Sequence, residues 1–155
     1  MTYRQLFIFL EGDDDERFFE NILKQKFVDK FDYIKIIKHA TMKNEKIDNY
    51  LKSINSMGAD YIFVVDFNNS PCITARKHFL QQQFKNIDTD NIIIVIKEIE
   101  SWYIAGLSKE NCKKFKVPYY KNTEAFTKEQ FNEIIPKNYT SRIDFMLEIL
   151  KNYSI

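Results

Sequence analysis

Residues 6–16 read LFIFLEGDDDE, and residues 61–66 read YIFVVD. Each opens on an unbroken apolar run of strand length with no polar face. Such runs suit strands buried on both sides, as in a parallel sheet. Each ends on an acid. The first run stops at Glu11-Gly12, where glycine permits a sharp turn. Asp13 to Glu16 then load the first turn of a helix, where carboxylates complement the dipole. Phe18, Phe19, Ile22, Leu23 and Phe27 give that helix an apolar stripe.

The same alternation continues along the chain. Residues 33–37, YIKII, predict a second strand. Ile47, Leu51 and Ile54, with Tyr50, predict a helix over 44–57, closed by Gly58 as a C-terminal cap. The YIFVV run is the third strand. Ser70 and Pro71 follow as N-cap and first helical residue of a helix reaching about residue 84. Residues 91–96, NIIIVI, are the fourth strand. Residues 101–104 then turn helical. The order βαβαβαβ, with connections long enough to cross over, predicts an α/β fold: a Rossmann-like parallel sheet of about four strands flanked by helices.

Beyond residue 106 the texture changes. Ser108, Thr127 and Ser141 are expected N-caps. Thr127 with Gln130, and Ser141 with Asp144, have capping-box spacing. Ile143, Met146, Leu147 and Leu150 fall at i, i+3, i+4 and i+7, the stripe of an amphipathic helix. Residues 1–106 are therefore expected as the α/β core, and 107–155 as a helical C-terminal extension packed on it within one domain.

Composition narrows the chemistry. Lys+Arg is 23 against 22 Asp+Glu, which excludes a strongly basic nucleic-acid glove as the whole explanation. No apolar run approaches the ~20 residues of a membrane span, and the N-terminal residues show no signal-peptide cleavage pattern. Cys72 and Cys112 stand far apart and form no zinc pattern, so a reducing, cytoplasmic setting is expected. With only three glycines no Gly-rich phosphate loop can form. His39 and His78 have no partners in sequence and read as surface residues.

The charges are unevenly placed. Residues 11–20 carry six acids and one Arg, and residues 21–52 carry eight Lys against four acids. In a parallel sheet ligands bind beyond the carboxyl ends of the strands, and Glu11, Asp66, Glu98 and Glu100 all fall there. Carboxylates gathered at one edge are tolerated when a divalent cation binds among them or when one stays protonated. Each acid also has a plainer use. Asp13, Asp14 and Asp15 can cap a helix, Asp66 can cap the loop before Ser70, and Arg17 can pair with Asp13 at i,i+4.

These residues resemble the motifs of Toprim domains. LFIFLEGDDDERFF is similar to the first: an apolar strand, Glu-Gly, then Asp three residues after the Gly, matched by Glu11, Gly12 and Asp15. YIFVVDFN is similar to the second, a strand ending in Asp-x-Asp. Asp66 matches its first acid, and Asn68 puts a neutral oxygen in place of the second. EIESWYIAG (98–106) resembles an element of small Toprim-like proteins related to the overcoming-lysogenization-defect nucleases, with Glu100 matching its Glu. The resemblance spans residues 6–106.

It implies a Toprim-like domain that binds Mg2+ or Mn2+ and cuts or joins phosphodiesters of DNA or RNA. In the small relatives it implies a nuclease role in bacterial defence, beside a partner ATPase. Carried over residue by residue, Glu11, Asp15 and Glu100 are the expected catalytic residues. Glu11, Asp15, Asp66, Asn68 and Glu100 are the expected metal ligands, and metal-activated water is the attacker. Two other readings stay open: a non-catalytic Toprim-like accessory subunit that binds nucleic acid or an ATPase, and a phosphotransferase for small phosphates at the same edge.

Overall fold

β1 (Gln5–Leu10) is the hub of a four-stranded sheet. It pairs in parallel with β2 (Tyr33–Lys38) on one side and with β3 (Asp60–Asp66) on the other. β4 (Ile92–Val95) pairs in parallel beyond β3, so the order is β2-β1-β3-β4. This is the all-parallel, Rossmann-like α/β sheet that the apolar runs predict. The computed structural model describes every residue except Met1, Asn69, Lys97, Ala125 and Ile155.

The reason for the unbroken apolar runs is visible in burial. Residues 6–10 of β1 are all buried, as are Phe63, Val64 and Val65 of β3. β2 lies at the sheet edge, and of its residues only Ile37 is fully buried. An edge strand has one neighbour and less cover, so YIKIIK tolerates lysines that a central strand would exclude.

Odd-numbered residues of β1 and β3 build the main core. Phe7, Phe9, Tyr61, Phe63 and Val65 pack with Ile47, Leu51 and Ile54 of α3 (Asn44–Met57) and with Leu80 of α4 (Ile73–Gln83). The Phe9 and Phe63 rings stack at 5.1 Å. Burying each such side chain contributes on the order of 1.5–3 kcal/mol. Gly58 closes α3 at φ 67°, a left-handed conformation that favours glycine.

Three local expectations shift. The helix after β1 is not uniform: α1 (Asp13–Phe18) runs through a π-helical turn at Phe19–Leu23 into α2 (Lys24–Phe27). α4 begins at Ile73 rather than at Pro71. Its N-cap is Cys72, whose Sγ accepts from the Ala75 backbone N–H at 3.4 Å. Gly12 is extended, at φ −155°, so the turn after β1 does not require glycine's left-handed freedom.

The chain forms two compact units, Met1–Val95 and Ile96–Ile155. The texture change at residue 106 therefore lies inside the second unit. That unit contains α5 (Glu100–Ala105), α6 (Lys109–Phe115), α7 (Lys128–Ile134) and α8 (Arg142–Lys151). α5 groups there because it packs on α8. Ser108, Thr127 and Ser141 cap α6, α7 and α8 as expected, and Thr127 and Gln130 make the full box. Asp144 does not complete a second box; its carboxylate accepts instead from the Thr140 hydroxyl.

The inward face of α8 is Phe145, Met146, Ile149 and Leu150, while Ile143 and Leu147 are 48% and 38% exposed. The expected stripe is thus rotated toward Phe145, whose ring lies 5.6 Å from Phe131. A large ring with an aromatic partner outweighs a spacing rule that treats all apolar residues alike. Among the described residues no helix is long and apolar enough to cross a membrane.

Candidate functional site

The strand order reverses between β1 and β3. From β1 the chain moves outward to β2, then returns past β1 to β3 and continues to β4. Loops leaving β1 and β3 diverge at that point and open a crevice at the carboxyl edge, the usual ligand position in such sheets. Glu11 follows the last residue of β1, and Asp66 is the last residue of β3. Phe9 pairs with Phe63, so continuing the register sets Glu11 level with Val65 and next to Asp66. Both acids therefore sit at the reversal.

A cavity of about 290 Å³ opens there. Phe63 and Val65 supply apolar floor, and Glu11, His39, Asn68 and Arg76 line it with polar groups. Asp66 and Asp15 are not among the lining residues. Alternation along β3 explains the first: Val65 points to the cavity side, so Asp66 follows on the opposite face.

His39 and Arg76 are each held by a backbone carbonyl. His39 directly follows β2, and its N–H donates to the Leu10 carbonyl at 2.8 Å. Its ring stacks on Phe63 at 4.7 Å, and Nε2 lies 3.1 Å from the Val64 carbonyl. A carbonyl only accepts, so Nε2 carries the proton. Burial pushes the His39 pKa below its ordinary 6.5. The Val64 carbonyl and the nearby Glu11 carboxylate act the other way, while Arg76 adds to the lowering.

Asn68 has φ 55°, a left-handed conformation that asparagine adopts more readily than most residues. Arg76 is 8% exposed. Its Nε donates to the Asp66 carbonyl at 2.9 Å, tying α4 to the end of β3. Its guanidinium lies 5.9 Å from the Phe79 ring centroid. It makes no ion pair among the described residues.

The other expected site residues have local duties. Asp15 is buried, and its Oδ2 accepts from the Gly12 N–H at 3.2 Å, capping α1. Asp14 pairs with Arg17 at 2.7 Å and Asp13 with Lys38 at 2.8 Å, so Arg17 selects i,i+3 over the expected i,i+4 partner. The Lys38 contact, first through its hydrogen bond, holds the Asp13 carboxyl below the ordinary carboxylate range. In the second unit Glu98 accepts from the Lys128 N–H at the start of α7. Glu100 opens α5, is 3% exposed, and is ion-paired with Arg142 of α8.

Among the described residues no group of three or more His, Cys, Asp or Glu side chains is placed to hold one metal ion. What remains is Glu11 on the cavity wall, with Asp66 at the neighbouring strand end but on the opposite face.

No protein-family model, curated protein or solved structure matches this chain.

Two lining residues escape sequence reasoning. His39 reads as a surface residue, yet it is half-buried beside the crevice. Its place directly after a strand was the available signal. Arg76 lies four residues before Leu80, on the same face of α4 as a core residue. A cation at a buried helical position is costly without a purpose, and that spacing marked it.

Proposed function

We propose that this chain is a Toprim-like enzyme that cleaves phosphodiesters of DNA or RNA at the carboxyl edge of its sheet. The observation that carries the reading is the placement of Glu11 and Asp66 at adjacent parallel strand ends where the strand order reverses. Glu11 faces the cavity beside His39, where a carboxylate can take or return a proton during attack by water. Asp66 holds the neighbouring strand end. Mg2+ or Mn2+, bound with substrate oxygens, would supply the charge that such cleavage requires. A cytoplasmic setting goes with the two free cysteines.

The test is a nicking assay on plasmid DNA and on RNA with each metal. Glu11→Ala and Asp66→Ala should each lower cleavage by about 100-fold, the lower range for loss of an acid–base group. Cleavage at the wild-type rate by both variants rejects the assignment.

A second reading is a non-catalytic Toprim-like subunit serving nucleic acid or a partner ATPase. The engagement of Asp15 with Gly12 and of Glu100 with Arg142 favours it, because both carboxylates then have structural work. Calorimetry separates the two readings: no Mg2+ or Mn2+ uptake in the presence of substrate, with intact binding of nucleic acid, selects the subunit.

A further inference from the structure

Arg76 is the most unusual side chain on the cavity wall. The residue is more than nine-tenths buried, and its one hydrogen bond uses Nε on the Asp66 carbonyl. Among the described residues the two terminal amines have no hydrogen-bond or ion-pair partner. They are also not sealed off, since no buried side-chain nitrogen or oxygen lacks a partner among the described residues. The amines therefore reach open space, and Arg76 lines the cavity. A guanidinium fixed at Nε with its free edge toward a cavity is arranged for bidentate contact with an oxyanion.

The surroundings narrow the ligand. Asn68 and His39 add neutral polar groups to the wall, and Glu11 adds one carboxylate. Phe79, one turn of helix from Arg76, is 56% exposed and also lines the cavity. An exposed ring at the rim of a polar pocket offers a stacking surface to a base. The volume of about 290 Å³ lies at the small end of ligand sites, which suits one nucleotide rather than a run of strand.

We propose that this cavity binds a single phosphate-bearing nucleotide, the phosphate on the Arg76 guanidinium and the base against Phe79. The inference deepens the cleavage reading, and rests on it only for nucleic acid as the source of the nucleotide. Its chemistry is independent of metal, so it is measured in EDTA, where failure of cleavage cannot mask it.

The probes are a 5′-phosphorylated oligothymidylate, the same strand with a 5′-hydroxyl, thymidine monophosphate and inorganic phosphate. The wild-type chain should prefer the phosphorylated end by about tenfold or more, the scale of one charge-assisted contact. Thymidine monophosphate should compete better than inorganic phosphate. Competition by the mononucleotide without binding of either strand would still support the site and assign it to free nucleotides.

Arg76→Gln should erase the phosphate preference. Arg76 also braces the end of β3, so two milder variants are read with it. Asn68→Asp keeps a residue that tolerates the left-handed backbone and sets a negative charge beside the phosphate; it should lower affinity about tenfold. Phe79→Ala, at an exposed position, should weaken nucleotide but not inorganic phosphate. Measurable wild-type binding of phosphorylated and hydroxyl ends with equal affinity overturns the proposal, as does an Asn68→Asp variant with unchanged preference. Inorganic phosphate competing as well as the mononucleotide overturns the nucleotide assignment. Under the cleavage reading Asn68→Asp instead supplies the missing acid of Asp-x-Asp and should raise metal-dependent cleavage, so the two ideas fail separately.

Discussion

Replacing Arg142 by methionine tests whether Glu100 is a structural or a reacting carboxylate. Glu100 is 3% exposed and its side chain meets the Arg142 guanidinium. Arg142 also donates through Nε to the Asn132 side chain at 2.9 Å, and its guanidinium lies 5.3 Å from the Phe131 ring centroid. It therefore links α5, α7 and α8. Methionine keeps the aliphatic bulk and removes the charge, leaving a buried carboxylate without its guanidinium. Losing one partner of a buried pair costs about 3–5 kcal/mol. The Arg142 side chain is 23% exposed, which lets water compensate and points to the lower bound, about 3 kcal/mol. For a chain of this size that corresponds to a fall of about 6–12 °C in Tm.

The assay is urea and thermal unfolding of the wild type, Arg142→Met, Glu100→Leu and the double variant. Removing both charges relieves the desolvation of each, so the double variant should recover most of the loss. A coupling energy below about 0.5 kcal/mol, with Glu100→Leu as stable as the wild type but devoid of cleavage, would refute the structural account. It would return Glu100 to the expected catalytic set.

Three further outcomes follow from the packing. His39 titrates below 6.5 in the folded chain because it is buried. Between that depressed value and 6.5 the unfolded chain takes up a proton that the folded chain refuses, so stability should fall as pH drops through this window and then level off; His39→Asn should flatten that slope in pH-dependent denaturation. A Cβ at Gly106 would fall inside the Tyr153 ring, whose hydroxyl donates to the Trp102 carbonyl at 2.7 Å. Gly106→Ala should therefore cost about 1–3 kcal/mol, and the Tyr153 phenol, pushed up to about 12 by burial, should ionise nearer its ordinary 10 in the variant by ultraviolet titration. On α8, Ile149→Ala should cost about 2–5 kcal/mol, whereas Leu147→Ser, at a position 38% exposed, should stay within about 1 kcal/mol by urea denaturation.

Much of the fold was legible because its signals are local. A run such as LFIFL leaves no polar face, and only a strand covered on both sides accommodates it. Gly58, Thr127 with Gln130, and Ser141 act within a few residues of themselves, so the spacing was enough to place them. The helix starting after Pro71 was harder: Ser70 and Cys72 both offer an acceptor, and the thiol is the one that caps it.

The site was legible in half. The amino-acid sequence alone put Glu11 and Asp66 at strand ends, because apolar runs end where the sheet ends. It could not say which acids would share a space. Asp15 lies four residues from Glu11 yet caps its own helix, and Glu100 spends its charge on Arg142, forty-two residues away. Arg76 reached the cavity because its Nε anchors α4 to the Asp66 carbonyl at the end of β3. Side-chain periodicity is a property of one segment, whereas pairing of charges depends on which segments meet. The chain by itself determined a parallel sheet with acids at its carboxyl edge; the tertiary structure alone decided which of those acids are neutralised in place and which face an open pocket beside a buried guanidinium.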